Sequence, residues 1–239
     1  MTDNSMWEHP PEARILRHGG YTLTVIDNPT PHAFGSLPPN DHARARQVAE
    51  SLLSVESVGV ELGPMRASDI GIVPHHTRSD LEQVHIGCWG PVIEITDAAL
   101  VDRMGSFALR DQAEELAKEY PNAAVIGSAS IDFSIDYSAY VVIHPTGVRL
   151  WADGYTGEET WDVRDDSVSD VIAAFCASAE LPPGFDFDVD PQDMNYAAAL
   201  EACLKAVVPS QRHHLTLSSF RVTRTEEAIG DLEETWLDE

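Results

Sequence analysis

The stretch "SASIDFSIDYSAY", residues 128–140, constrains the fold more than any other part of the chain. Ile131, Phe133, Ile135 and Tyr137 alternate with Ser130, Asp132, Ser134 and Asp136. A period of two puts the apolar set on one side of an extended backbone and the polar set on the other, which describes a half-buried strand with a wet face. "YVVIH" and "VRLWA" follow, joined by the turn "HPTG", and "DG" at 153–154 marks a further turn. The expectation is an antiparallel meander of three or four strands over about 128–163.

Around this meander the signals are mixed. "YTLTVID" (21–27), "SVGVELG" (57–63), "DIGIV" (69–73), "QVHIGCWGPVIEIT" (83–96) and "HLTLSSFRV" (214–222) read as strands, the fourth bent at Gly90–Pro91. Helical spacing recurs over 41–54, 97–120 with a break near Gly105–Ser106, 166–180, 191–208 and from Thr225 onward. Asn40 or Asp41 is placed to cap the first of these, and Asp190 with Pro191 to start the fourth. Regular β-α-β alternation is absent. The expected class is therefore α+β: a largely antiparallel sheet with amphipathic helices packed mainly on one face. Residues 1–20 read as an irregular arm, 21–223 as one domain with any subdomain boundary near 120–127, and 224–239 as an acidic C-terminal helix.

No apolar run approaches the length of a membrane span, and the N-terminus lacks the basic-then-apolar order of a signal peptide. Three cysteines fit a reducing compartment better than a disulfide framework, so a cytoplasmic protein is expected. Cys176 and Cys203 fall on or beside apolar helix faces and read as buried structural thiols.

Charge is the outlier. Forty acids against fifteen bases give a net charge of −25, and residues 151–200 hold twelve acids with Arg164 as the only base. Such a surface repels nucleic acid and membranes and attracts cations or basic proteins. Lysine occurs only at 118 and 205, a bias also found in halophilic proteins, where acidity serves solvation.

Three motifs invite a chemical reading, and each has a plainer one. "GFDFDVDPQD" (184–193) carries the D-x-D-x-D opening of a calcium loop, but Pro191 and Ala197 stand where that loop needs Gly and Glu. Phe185, Phe187 and Val189 pointing inward, with Asp186 and Asp188 facing water and no metal, account for the same residues. The histidines, His75–His76, His85 near Cys88, and His213–His214, lack the convergent spacing of a zinc site; His85 and Cys88 lie on opposite faces of a strand. Cys88 in "GCWG", with His144 and Asp153 downstream, has the residue types of a thiol nucleophile but a strand-like setting without a helix dipole.

The functional expectation thus rests on charge: a non-enzymatic binding protein whose acidic face occupies a basic site on a partner that is itself a basic or nucleic-acid-binding protein. Nuclease inhibitors, anti-defence proteins and immunity proteins act in this way, as nucleic-acid mimics. Direct contact with nucleic acid or membrane is not expected, nor is a cofactor, and no catalytic or metal-ligating residue is assigned. The face would comprise Glu158, Glu159, Asp162, Asp165, Asp166, Asp170, Asp186 and Asp188. Ile229, Leu232 and Trp236 would dock the C-terminal helix in an apolar groove, on its own sheet or on the partner. The alternatives are a metal-assisted enzyme using carboxylates of 153–193 with a histidine such as His144, and an assembly subunit whose acidity only keeps it soluble in salt.

Overall fold

The computed structural model describes residues 6–29, 36–67, 75–101, 107–132, 136–155, 161–175, 190, 193–208 and 214–238. Nine strands form one sheet: β1 (Gly19–Asp27), β2 (Val55–Arg66), β3 (Gln83–Trp89), β4 (Val92–Asp97), β5 (Ala123–Asp132), β6 (Asp136–Ile143), β7 (Arg149–Tyr155), β8 (Asp162–Asp165) and β9 (Thr216–Arg224). Their order is β2-β9-β3-β4-β1-β5-β6-β7-β8, with every pairing antiparallel. The helices are α1 (His42–Glu50), α2 (Phe107–Glu119), α3 (Val168–Phe175), α4 (Tyr196–Val207) and α5 (Glu226–Trp236), with 3-10 turns at Arg78–Glu82 and Ala98–Leu100. This is an α+β fold.

The alternating stretch 128–140 is not one strand. Asp132 pairs with Asp136 and Ile131 with Tyr137, so the chain reverses between them and the run is shared by β5 and β6. Periodicity could not reveal this, because cross-strand partners share a face, so Ile131 and Tyr137 lie on one side as they would in a single strand. The segment 83–96 likewise proved to be two strands. Gly90, at φ 65, reverses the chain in two residues, so Trp89 faces Val92 and the expected bend is a hairpin turn.

Both faces of the sheet are covered, with three of the five described helices on one side. On that first face Leu23, Val25, Ile86, Ile93, Ile95 and Val125 meet Ala45 and Val48 of α1, Leu109 and Leu116 of α2, and Leu232 and Trp236 of α5. On the second face Ile126, Val142, Leu150 and Trp89 meet Val171 and Phe175 of α3 and Leu200 and Cys203 of α4. Trp89 lies flat across this face because Gly87 has no side chain: a Cβ there would sit 2.5 Å from the indole.

Local capping chemistry sets the helix starts. Asp41 accepts the amide of Arg44 at 3.0 Å, and Thr225 that of Ala228 at 3.3 Å. The fourth helix departs from expectation. Asn195, not Asp190, is its cap, accepting from the Ala198 amide at 3.0 Å, so α4 begins at Tyr196 rather than Pro191. Both residues are good caps, and the later one agrees with the burial of Tyr196. Phe185, Phe187, Val189 and Cys176 lie outside the described residues, as does the strand expected over 69–73.

Candidate functional site: the acidic rim of the sheet

The hairpins of β5–β8 determine where the carboxylates go. Because 132 pairs with 136 and 153 with 162, two aspartate pairs stand directly opposite one another at the same end of four consecutive strands. Asp132 and Asp136 extend from the second face, Asp153 and Asp162 from the first. Asp153 is level with Ala139, three residues along from Asp136, so the rim spans roughly 14 Å across the four strands and about 10 Å along them. Like charges placed directly cross-strand oppose the pairing that brings them together.

Each carboxylate meets a different environment. Asp153 is half-buried; Tyr137 Oη and Trp151 Nε1 each donate to it at 2.8 Å. Burial pushes its pKa up against those two donors, and the Asp162 charge adds to the rise. Asp162 is exposed, and a hydrogen bond from the Arg164 guanidinium holds its pKa down. Asp132 accepts the amide of His18.

A second acidic group lies at the corner where β8 passes into α3. Asp165 stands at φ 72, a left-handed conformation that aspartate tolerates better than most residues. Asp166 accepts the Arg149 amide at 2.8 Å, and Asp170 closes the first turn of α3 by accepting the Ser167 amide at 3.2 Å. These two thus have local structural roles as well as charge. Asp132, Asp136, Asp165, Asp166 and Asp170 form no ion pair among the described residues.

Of the residues anticipated for an acidic face, Asp162 begins β8 and Asp165, Asp166 and Asp170 follow at its other end and in the turn into α3. Glu158, Glu159, Asp186 and Asp188 lie outside the described residues. Asp132 and Asp136 join the rim although sequence reading placed them only on the wet side of a strand; recognising the hairpin between them would have found them. Ile229, Leu232 and Trp236 are buried, the last two in the core on the first face of the chain's own sheet. The Trp236 indole N–H donates to the Ala98 carbonyl at 3.3 Å, and the ring meets Tyr21 edge-on at 5.6 Å. Burying such a ring stabilises α5 by on the order of 3 kcal/mol, enough to hold a short helix whose first turn is Glu226–Glu227.

The other candidate groupings are taken apart by the fold. Cys88 sits in β3, fully buried, and burial pushes its thiol up to about 12. Five strand spacings, about 24 Å, separate it from Asp153 in β7. His144 follows the far end of β6 and packs on Phe175, about 17 Å along the strand from the level of Asp153. His85 and Cys88 face opposite sides, and His85 Nδ1 instead lies 2.8 Å from Ser219 Oγ. Among the described residues no three His, Cys, Asp or Glu side chains converge in a way that could hold a metal ion. No helix among them is long and apolar enough to cross a membrane.

Comparison with known proteins returns one result. The model of a family described as a family of unknown function (DUF6333) matches residues 6–239. No curated protein matches the chain, and no solved structure does.

Proposed function

The chain belongs to the DUF6333 family, and from its geometry we propose that it is a non-enzymatic cytoplasmic binding protein whose acidic rim occupies a basic site on a partner protein. The observation that carries this reading is the pair of directly cross-strand aspartates, Asp132–Asp136 and Asp153–Asp162, at one end of β5–β8. Opposed like charges reduce folding stability, and chains keep such local conflicts where a function needs them. The corner acids Asp165, Asp166 and Asp170 lie at the other end of β8, so carboxylates mark both ends of this side of the sheet, an anionic surface of the kind that steers association with a cationic cleft. The partner would be a nucleic-acid-binding protein, and the chain an inhibitor that stands in for phosphates, as anti-defence and immunity proteins do.

The test is a comparison of wild type with the double variant Asp136→Asn, Asp165→Asn. Asparagine keeps the size of both side chains and suits the backbone of residue 165. The wild type should recover a basic partner from its native cell at low salt and release it as salt rises. The variant should melt no lower than wild type yet lose the partner. Equal recovery by both proteins would sink the proposal. So would a variant that loses nothing but its monomeric state, since acids on the edge strand β8 would then serve to block strand pairing.

A further inference from the structure

A cavity of about 190 Å³ lies on the second face of the sheet, beneath α4 and two strands in from the edge strand β8. Its floor is Thr22 and Thr24 of β1, Ser128 of β5 and Tyr140 of β6; its roof is Leu200 and Leu204 of α4. Thr22 pairs with Ser128 and Ser128 with Tyr140, so three of these residues stand in a single cross-strand row. Short side chains under a helix that presents leucines leave the gap.

The floor does not match the roof. The hydroxyls of Thr22, Thr24 and Ser128 make no hydrogen bond with any described residue. Thr24 is only 3% exposed. The Thr24 hydroxyl is not sealed in the core but opens onto the recess, where valine would fill the same volume and offer no hydrogen bond. Tyr140 is held in place by rings packed against it, Trp161 at 6.0 Å and Tyr196 at 5.9 Å. Trp161 reaches this position because Gly154 below it has no side chain; a Cβ there would lie 2.9 Å from the indole. The recess thus combines unpartnered hydroxyls, a fixed aromatic ring and an apolar lid.

We propose that this cavity binds a small uncharged polyhydroxylated molecule, of about monosaccharide size. Its volume equals that of about six waters, room for one small molecule and too little for a nucleotide. Hydroxyls both donate and accept, so a row of them matches a ligand that does the same, and the Tyr140 ring offers an apolar face for ring C–H groups. An anion finds no cationic group on the lining. A cation finds only Glu201, which is largely exposed and already paired with Lys205 at 2.7 Å. This assignment is independent of the acidic rim and stands or falls separately from it.

The experiment titrates the full chain with D-glucose, D-ribose and myo-inositol, and in parallel arms with spermidine and inorganic phosphate, following calorimetry and Trp fluorescence. Ala197, on the exposed rim of the cavity, supplies a plug: Ala197→Trp should fold and close the mouth. At least one of the three polyols should bind the wild type. That affinity should fall at least tenfold in Thr24→Val and vanish in Ala197→Trp, with both variants melting no lower than wild type. The proposal is overturned if none of the three polyols binds, if binding survives the plug, or if spermidine or phosphate alone binds.

Discussion

The two faces of the sheet are built from the same strands, yet their main polar features differ: a closed ion pair on the first and an open recess on the second. On the first face the one strongly polar arrangement is complete. Arg224 and Asp97, 0% and 2% exposed, pair at 2.7 Å, and the guanidinium also donates to the Leu81 and Gln83 carbonyls and to Ser54. Hydrogen bonds from Arg224, Ser54 and Ala99 and the Arg224 charge hold the Asp97 pKa low in spite of complete burial. On the second face polar groups are just as buried but only partly matched. His85 has Ser219, whereas Thr96 Oγ1 has no partner and Thr24 opens onto the cavity. Neither face is free of unpartnered groups, since Tyr21 Oη on the first and Thr235 Oγ1 of α5 also lack a partner, but on the second face the hydroxyls open onto a cavity.

That contrast is broken most severely by Arg224→Met. Removing the guanidinium leaves Asp97 charged, buried and unpaired, which should cost about 3–5 kcal/mol in a denaturant melt. The double variant Arg224→Met, Asp97→Leu should recover most of the loss, because the apolar pair no longer leaves a charge behind. A single variant as stable as wild type would mean that the pair carries no such role.

The second largest effect belongs to His85 and reads out as pH dependence. Burial, with help from the neighbouring His75, pushes His85 down to about 4, against about 6.5 in the unfolded chain. Between those values the unfolded state binds the proton and the folded state does not, so stability falls as pH drops from about 6.5 towards 4. The size of the loss is on the order of 3 kcal/mol by pH 4, and above pH 7 the group contributes nothing to the pH dependence. His85→Gln should flatten this acid limb while leaving neutral-pH stability within about 1 kcal/mol. An unchanged limb would assign acid sensitivity to the carboxylates instead.

How much of this was readable from the chain divides along the same line as local and non-local structure. The period-two runs of β5–β7, the caps at Asp41 and Thr225, and the apolar spacing of Ile229, Leu232 and Trp236 are local features, and the elements they mark exist. Register is not local. The insertion of β9 between β2 and β3, and of β1 between β4 and β5, is set by contacts far apart in sequence; Asp97 and Arg224 are 127 residues apart. The acidic rim was half visible for the same reason. Its composition can be counted from the chain, but the opposition of Asp132 to Asp136 depends on where the hairpin turns. β2 was read short, as 57–63. Its register against β9 shifts between Val55 and Ser57, Val58 and Glu61, and Glu61 and Gly63, and the strand runs on through Pro64 to Arg66.

The smallest predicted effect is the sharpest comparison, because it uses adjacent residues. Thr24 and Val25 are nearly isosteric neighbours in the middle of β1, both almost fully buried, with side chains on opposite faces. Val25→Thr places a hydroxyl in the closed apolar core of the first face, where no acceptor is free, and should cost about 1–3 kcal/mol. Thr24→Val removes a hydroxyl that has no protein partner and should change stability by less than about 1 kcal/mol, with a gain expected if the cavity holds only loosely ordered water. Chemical denaturation of the two single variants gives both numbers on one scale. If Thr24→Val instead cost as much as Val25→Thr, the second-face hydroxyl would be part of a satisfied structural network through bound water, and the asymmetry between the faces would not be one of unused polar capacity.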